Sequence, residues 1–203
     1  MLLITSIPQP VPDDEIQREW MVKGSTKVKV FNAPDYPARI PKPPRVLYEL
    51  RDMPDMGQGL FAKYDIKRGE LILAERPLLV YPRDMMAPEG ALVDHLTDEE
   101  QKQVIMFEFN RMIETTISRF SPESQADFKS FHNAHTSDGS GPLLGIARTN
   151  NYGISNLYDG SDRDARYGAV CKIASRINHR YTISILSALC RTWLTNPVNQ
   201  LYT

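Results

Sequence analysis

The sequence predicts an α+β fold, mostly β with a helical insert, and three observations predict it. Short apolar runs separated by glycine turns fill residues 46–76, the pattern of small antiparallel strands. Between about 92 and 131 the apolar positions recur at spacings of three and four, as in Val104, Phe107 and Met112. A polar loop at 132–141 then returns the chain to strand-like apolar runs over 143–158 and 167–173.

In chain order, residues 1–45 carry Pro8, Pro10, Pro12, Pro34, Pro37, Pro41, Pro43 and Pro44. Each lacks a backbone donor and fixes its own φ, so this stretch is expected to be an extended arm. Within it, residues 26–31 alternate polar with apolar, the period of a half-buried strand. Residues 46–50 read as a strand, 56–59 as a tight turn, 60–62 as the return strand, 66–69 as a second turn and 70–76 as a third strand. Thr97 followed by Glu100 has the form of a capping box, and Ser121 before Pro122 opens another helix with proline at its first turn. Residues 159–164 form a charged turn, and 167–173 a buried strand or short helix. The expected division is an arm over 1–45, a domain over 46–180 and an atypical tail over 181–203. That tail holds one charged side chain, Arg191, and is expected to pack poorly or form a lone helix, adding no strand to a sheet.

The totals narrow the function classes. With 24 basic and 25 acidic side chains in 203 residues, the chain lacks the basic footprint of a protein that grips nucleic acid. Its two cysteines, Cys171 and Cys190, make neither a disulfide framework nor a four-cysteine zinc site, which fits an intracellular setting, nucleus or cytoplasm. The opening residues lack a basic region, their apolar run ends at once and prolines follow at Pro8, Pro10 and Pro12, so no signal peptide is read there. No run approaches the roughly 18 apolar residues of a membrane span. His132 and His135 lie two apart with no supporting cysteine or carboxylate cluster, so they are assigned to a loop and not to a metal. Glu99 and Glu100 open a helix, where anions favour its dipole.

Two ordered motifs remain. Gly57-Gln58-Gly59 runs into Leu60, Phe61 and Ala62, then Ile66, Gly69, Glu70, and finally Glu75 and Pro77. Far downstream, Thr149, Asn150, Asn151, Tyr152 and Gly153 precede the apolar run 168–170 and then Ser175-Arg176-Ile177-Asn178-His179. In this order, with a helical insert between them, the motifs resemble those of fungal-type SET domains, the fold of S-adenosylmethionine-dependent protein-lysine methyltransferases. The resemblance implies a SET-like β-clip of short antiparallel strands. It also implies a cofactor site in which Gly57, Gln58 and Gly59 receive the methionine portion and Asn178 and His179 the adenosine end. Glycine suits this role because, lacking Cβ, it lets backbone groups approach a ligand closely. Asn150 is a weaker candidate, better suited to a turn.

The resemblance stops at Arg180. The family continues with Ser-Cys, an Asn, a Gly-Glu-Glu-Leu segment and an aromatic strand whose tyrosine lies at the transfer site, and residues 180–203 do not match these. Neither Tyr181 nor Tyr202 is therefore assigned a catalytic role. The resemblance thus implies a SET domain incomplete at its C-terminus, inactive as this chain, with S-adenosylmethionine binding weak or lost. Its partner would be a protein, either a substrate offering a lysine-bearing tail or, if the chain is a catalytically dead binding module, a protein it holds.

Overall fold

The computed structural model describes residues 2–6, 18–33, 36, 41–54, 57–85, 95–154, 157, 167–177 and 199–202, the last four by their backbone. The first strands are β1 (Leu2–Ser6) and β2 (Glu19–Lys23), followed directly by helix α1 (Gly24–Phe31). A hairpin of β3 (Tyr48–Met53) and β4 (Gly57–Ala62) comes next, then β5 (Leu71–Glu75) and β6 (Leu79–Pro82). The helices α2 (Asp98–Ile117), α3 (Pro122–Lys129) and α4 (Pro142–Thr149) lead into β7 (Asn151–Ile154) and β8 (Tyr167–Val170). A single 3-10 turn at Ala174–Arg176 and strand β9 (Asn199–Tyr202) complete the described chain. The fold is mixed α+β, with short strands and four helices among the described residues.

The main sheet has five strands in the order β1-β2-β6-β8-β7, parallel only between β2 and β6. Both of its faces are covered. Met21, Leu79, Tyr81 and Val170 pack with Met106, Phe109, Ile113 and Ile117 of α2 and with Phe128 and Leu144. On the other face Trp20, Val22, Val80 and Ala169 pack with Val30, Ile154 and Tyr167. Strand alternation explains the division, since Met21 points away from its neighbours Trp20 and Val22.

This corrects the reading of residues 1–45 as an arm, for β1, β2 and α1 lie within that stretch and β2 is an inner strand of the sheet. Fully buried Glu19 receives a 2.6 Å hydrogen bond from Ser6 Oγ and lies 3.3 Å from the Arg119 guanidinium, which ties β1 and β2 to the end of α2. Residues 26–31 are helical, not a strand. Thr26 and Val30, four apart, bury together, and the Thr26 hydroxyl lies 3.0 Å from the buried Tyr167 phenol, which also accepts the Lys23 N–H.

The helical insert matches its expectation. Thr97 Oγ1 accepts the Glu100 N–H while the Glu100 carboxylate accepts the Thr97 N–H at 2.8 Å, a complete capping box, and Ser121 caps α3 ahead of Pro122. Thr97→Ala is expected to lower stability by about 1 kcal/mol. Urea denaturation should show a reduced midpoint at unchanged slope.

Two further expectations change. Residues 143–149 form α4 and not a strand, because Pro142 suits a first helical turn and Leu144 and Ala147 fall three apart on one buried face. Gly141, at φ 74°, sets the entry, and Asn110 Oδ1 accepts the Leu143 and Leu144 N–H groups at 3.2 and 3.1 Å. The tail also contributes a strand, contrary to expectation: β9 pairs antiparallel with β5, from Leu71 opposite Tyr202 to Glu75 opposite Asn199. Among the described residues β5 has no other strand beside it, so its backbone groups are open to pairing and 199–202 take them up. Residues 159–164 lie outside the described residues.

Candidate functional site

The motif glycines open β4. Gly57 pairs with Met53, Gln58 with Asp52 and Gly59 with Arg51, so residues 57–59 are strand and not the tight turn expected of them. Only the entry is unusual: Gly57 has φ 69°, a conformation that side chains disfavour, and a Cβ built there would meet nothing within 4 Å. The backbone is open to approach at that point. Gly59 is buried, and Gln58 Nε2 donates to Asp52 Oδ1 across the hairpin at 3.2 Å.

Beside this strand lies a cleft of about 260 Å³, lined by Gln58, by Phe131 and His132 after α3, by residues 149–152, and by Ser175, Arg176 and Ile177. The volume falls just under the ~300–1,000 Å³ usual for small-molecule sites. The second sequence motif therefore enters the same cleft as the first, through Ser175, Arg176 and Ile177. Asn178 and His179 themselves lie outside the described residues.

Most polar groups in the lining hold one another. Asn150 Nδ2 donates to the His132 and Ile146 carbonyls at 2.7 and 2.8 Å, which makes Asn150 a clamp at the end of α4, in keeping with its reading as a turn former. Ser175 Oγ donates to the Asn150 carbonyl at 2.7 Å and accepts the Cys171 N–H at 2.9 Å. Thr149 Oγ1 donates to the Gly145 carbonyl, and Tyr152 donates its phenol to the Ala174 carbonyl. Burial pushes the Tyr152 phenol well above its usual 10, so it stays a donor at any physiological pH. The Arg176 guanidinium sits 4.5 Å from the centroid of the Phe131 ring and donates to Ser130 Oγ.

Behind the wall is Glu75, at the end of β5. Its carboxylate accepts the Ile173 N–H at 3.0 Å and the Ala174 N–H, with the Lys172 N–H as a further contact. The residue keeps a little exposed surface, but the carboxyl group itself is enclosed, and burial pushes it from the usual 4.5 up to about 7 against the pull of those N–H groups and of Arg18. Lys172 also pairs with Asp127 of α3 at 2.6 Å. The turn is thus fixed from β5, β7 and α3 together.

A second polar cluster lies in the loop before α4. Asp138 accepts from Ser140, from His135 Nδ1 at 2.8 Å and from Arg148 Nη1 at 2.7 Å, and the Ser140 hydroxyl foremost holds its carboxyl far below the usual carboxylate range. His135 hydrogen-bonds within the loop to which the sequence assigns it. Among the described residues no group of three or more His, Cys, Asp or Glu is placed to hold a metal ion, and no helix is long and apolar enough to cross a membrane.

Glu75, Tyr152, Phe131 and Arg176 were not singled out as site residues from sequence. Glu75, Tyr152 and Arg176 sit within the quoted motifs, which was a usable signal; for Phe131 there was none. Comparison of the chain with protein-family models, with curated proteins and with solved structures finds no match in any of the three.

Proposed function

We propose that this chain is a SET-type domain and that the cleft beside Gly57 is its S-adenosylmethionine half-site. What supports the reading is one observation: Gln58 of the first motif and Ser175, Arg176 and Ile177 of the second line a single cleft, though the motifs stand far apart in sequence. The residues present suit such a ligand. An open backbone at Gly57 can be approached by the amino-acid end, the Arg176 guanidinium and the Gln58 amide offer donors to a carboxylate, and Tyr152, Phe131 and Ile177 supply apolar surface. Asn178 and His179 are proposed for the adenosine end. When bound, the cofactor would supply an activated methyl group for a lysine amine of a protein partner.

Methyl transfer needs more than this half-site. A lysine amine, with a free pKa of about 10.4, must lose its proton and meet the methyl group in an apolar channel lined with oriented oxygens. No residue from 180 to 203 matches the family segment that builds that channel. The stacking and burial such a segment gives an adenine are worth on the order of 1–3 kcal/mol each, so residues 1–203 by themselves are expected to bind roughly ten- to a hundredfold more weakly, or more weakly still.

Calorimetry on residues 1–203, and on a fusion carrying a complete family C-terminal segment after His179, tests the proposal. Weak binding and no lysine methylation are expected from the first, and both activities from the fusion. Tight binding by residues 1–203 would show that the site needs no such segment and refute the truncated reading, and a fusion that binds nothing would refute the motif assignment.

A further inference from the structure

We infer that Glu75 is the positioning residue of the cleft: its carboxylate holds the 172–174 backbone, that backbone sets the wall made by Ser175, Arg176 and Ile177, and ligand binds more firmly while the carboxylate is ionised than when it is protonated. This rests on reading the cleft as an S-adenosylmethionine site.

The geometry leads to it directly. Successive N–H groups at Lys172, Ile173 and Ala174 converge on one carboxylate, an arrangement that favours an anion. Residues that line the cleft follow at once, and the next two in sequence, Asn178 and His179, are the proposed adenosine contacts. Tyr152, itself in the lining, grips the same turn from the other side through the Ala174 carbonyl. A carboxylate is acceptor-only and can take every one of these donors. Once protonated, one oxygen carries a hydrogen that faces N–H groups, and the turn loses part of its hold. Burial outweighs the converging donors and pushes the carboxyl up to about 7, where a small pH change alters the wall.

The neighbouring groups do not supply this titration. Arg176, on the turn, stays cationic although burial lowers its pKa, and Arg18, on the approach to β2, is the other nearby guanidinium. Tyr48 of β3 and Tyr152 of β7 are both raised above 10, chiefly by burial. Among the described residues, His132 in the cleft lining, the Lys172–Asp127 pair on the turn and the buried Cys171 thiol just before it are the other titratable groups, and the Glu75→Gln and Cys171→Ala variants separate their effects from that of Glu75.

Amide NMR on the full chain tests the inference. In the wild type, the Ile173 and Ala174 amide signals are expected to move together with a midpoint near pH 7, in Cys171→Ala as well, and to stay flat in Glu75→Gln. S-Adenosylmethionine titrated into the same samples is expected to bind about tenfold more weakly at pH 6 than at pH 8, the ratio of ionised fractions for a group titrating at about 7. Glu75→Gln should lose the part of that ratio due to Glu75, and dividing the wild-type ratio by the variant's cancels any share due to titration of the ligand itself. Wild-type amides at 173 and 174 that do not move between pH 6 and 8 would overturn the inference without recourse to any variant. So would amides that titrate while affinity stays level. If the amides titrate and the ligand shifts no signal at either pH, the cofactor reading fails and takes the ligand half of the inference with it, while the role of Glu75 in holding the turn stands.

Discussion

Replacing Trp20 with alanine is expected to cost about 3–5 kcal/mol, enough to unfold much of a domain of ordinary marginal stability. Trp20 is 1% exposed on an inner strand of the main sheet and packs against Val22, Val30, Val80, Ile154 and Tyr167. Removing the ring leaves a void bounded by the paired strands β2, β6 and β8 and by α1, elements that cannot collapse inward without breaking sheet hydrogen bonds. Thermal denaturation followed by circular dichroism measures the loss. Phe107→Ala is the control, since Phe107 lies exposed on α2 and its truncation should change stability by no more than about 0.5 kcal/mol. If Trp20→Ala behaved like the control, β2 would not be part of the core, and residues 1–45 would be the extended arm that their prolines suggest.

What the sequence makes legible divides by range. The capping box at Thr97 and Glu100, the Ser121 cap and strand β5 are written in residues a few positions apart, and each was readable. Residues 26–31 were not, because alternating Lys and Val satisfies a strand period while Thr26 and Val30 also satisfy a helical one. The deciding contact, Thr26 with Tyr167, lies 141 residues away in sequence. Residues 143–149 are a near-continuous apolar run too short to show a period, and only Gly141 and Pro142 signal the helix. The parallel pairing of β2 with β6 is likewise a long-range fact with no local mark. At the cleft the pattern repeats. Gln58 and Ser175 could be read as members of ordered motifs, whereas the hold of Glu75 on Ile173, 98 residues on, is visible only in the fold.

The charge on Glu75 should cost the fold what it contributes to the cleft. Its carboxyl is pushed from the usual 4.5 up to about 7, first by burial, so the folded state binds the proton more tightly than the unfolded chain does. The stability this gives is complete below about pH 4.5 and is lost as the pH rises through about 7, a difference on the order of 3 kcal/mol. Other carboxyls run in the opposite sense. Asp138, Glu99 and Glu100 are held below their usual values by hydrogen bonds, so their contributions are lost towards acid and would mask the effect in the wild type alone. The quantity to measure is the unfolding free energy of the wild type minus that of Glu75→Gln, by urea titration at several values between pH 4 and 8. That difference should fall by about 3 kcal/mol on going from acid to pH 8, with most of the change between 4.5 and 7. A flat difference would mean that the N–H groups of 172–174 fully offset burial and that the carboxyl titrates near 4.5, in which case the cleft wall could not respond to pH near neutrality. A falling difference, found together with tighter ligand binding at pH 8 than at pH 6, would show a site kept in order by a charge that the surrounding protein resists, a trade of stability for function made at one side chain.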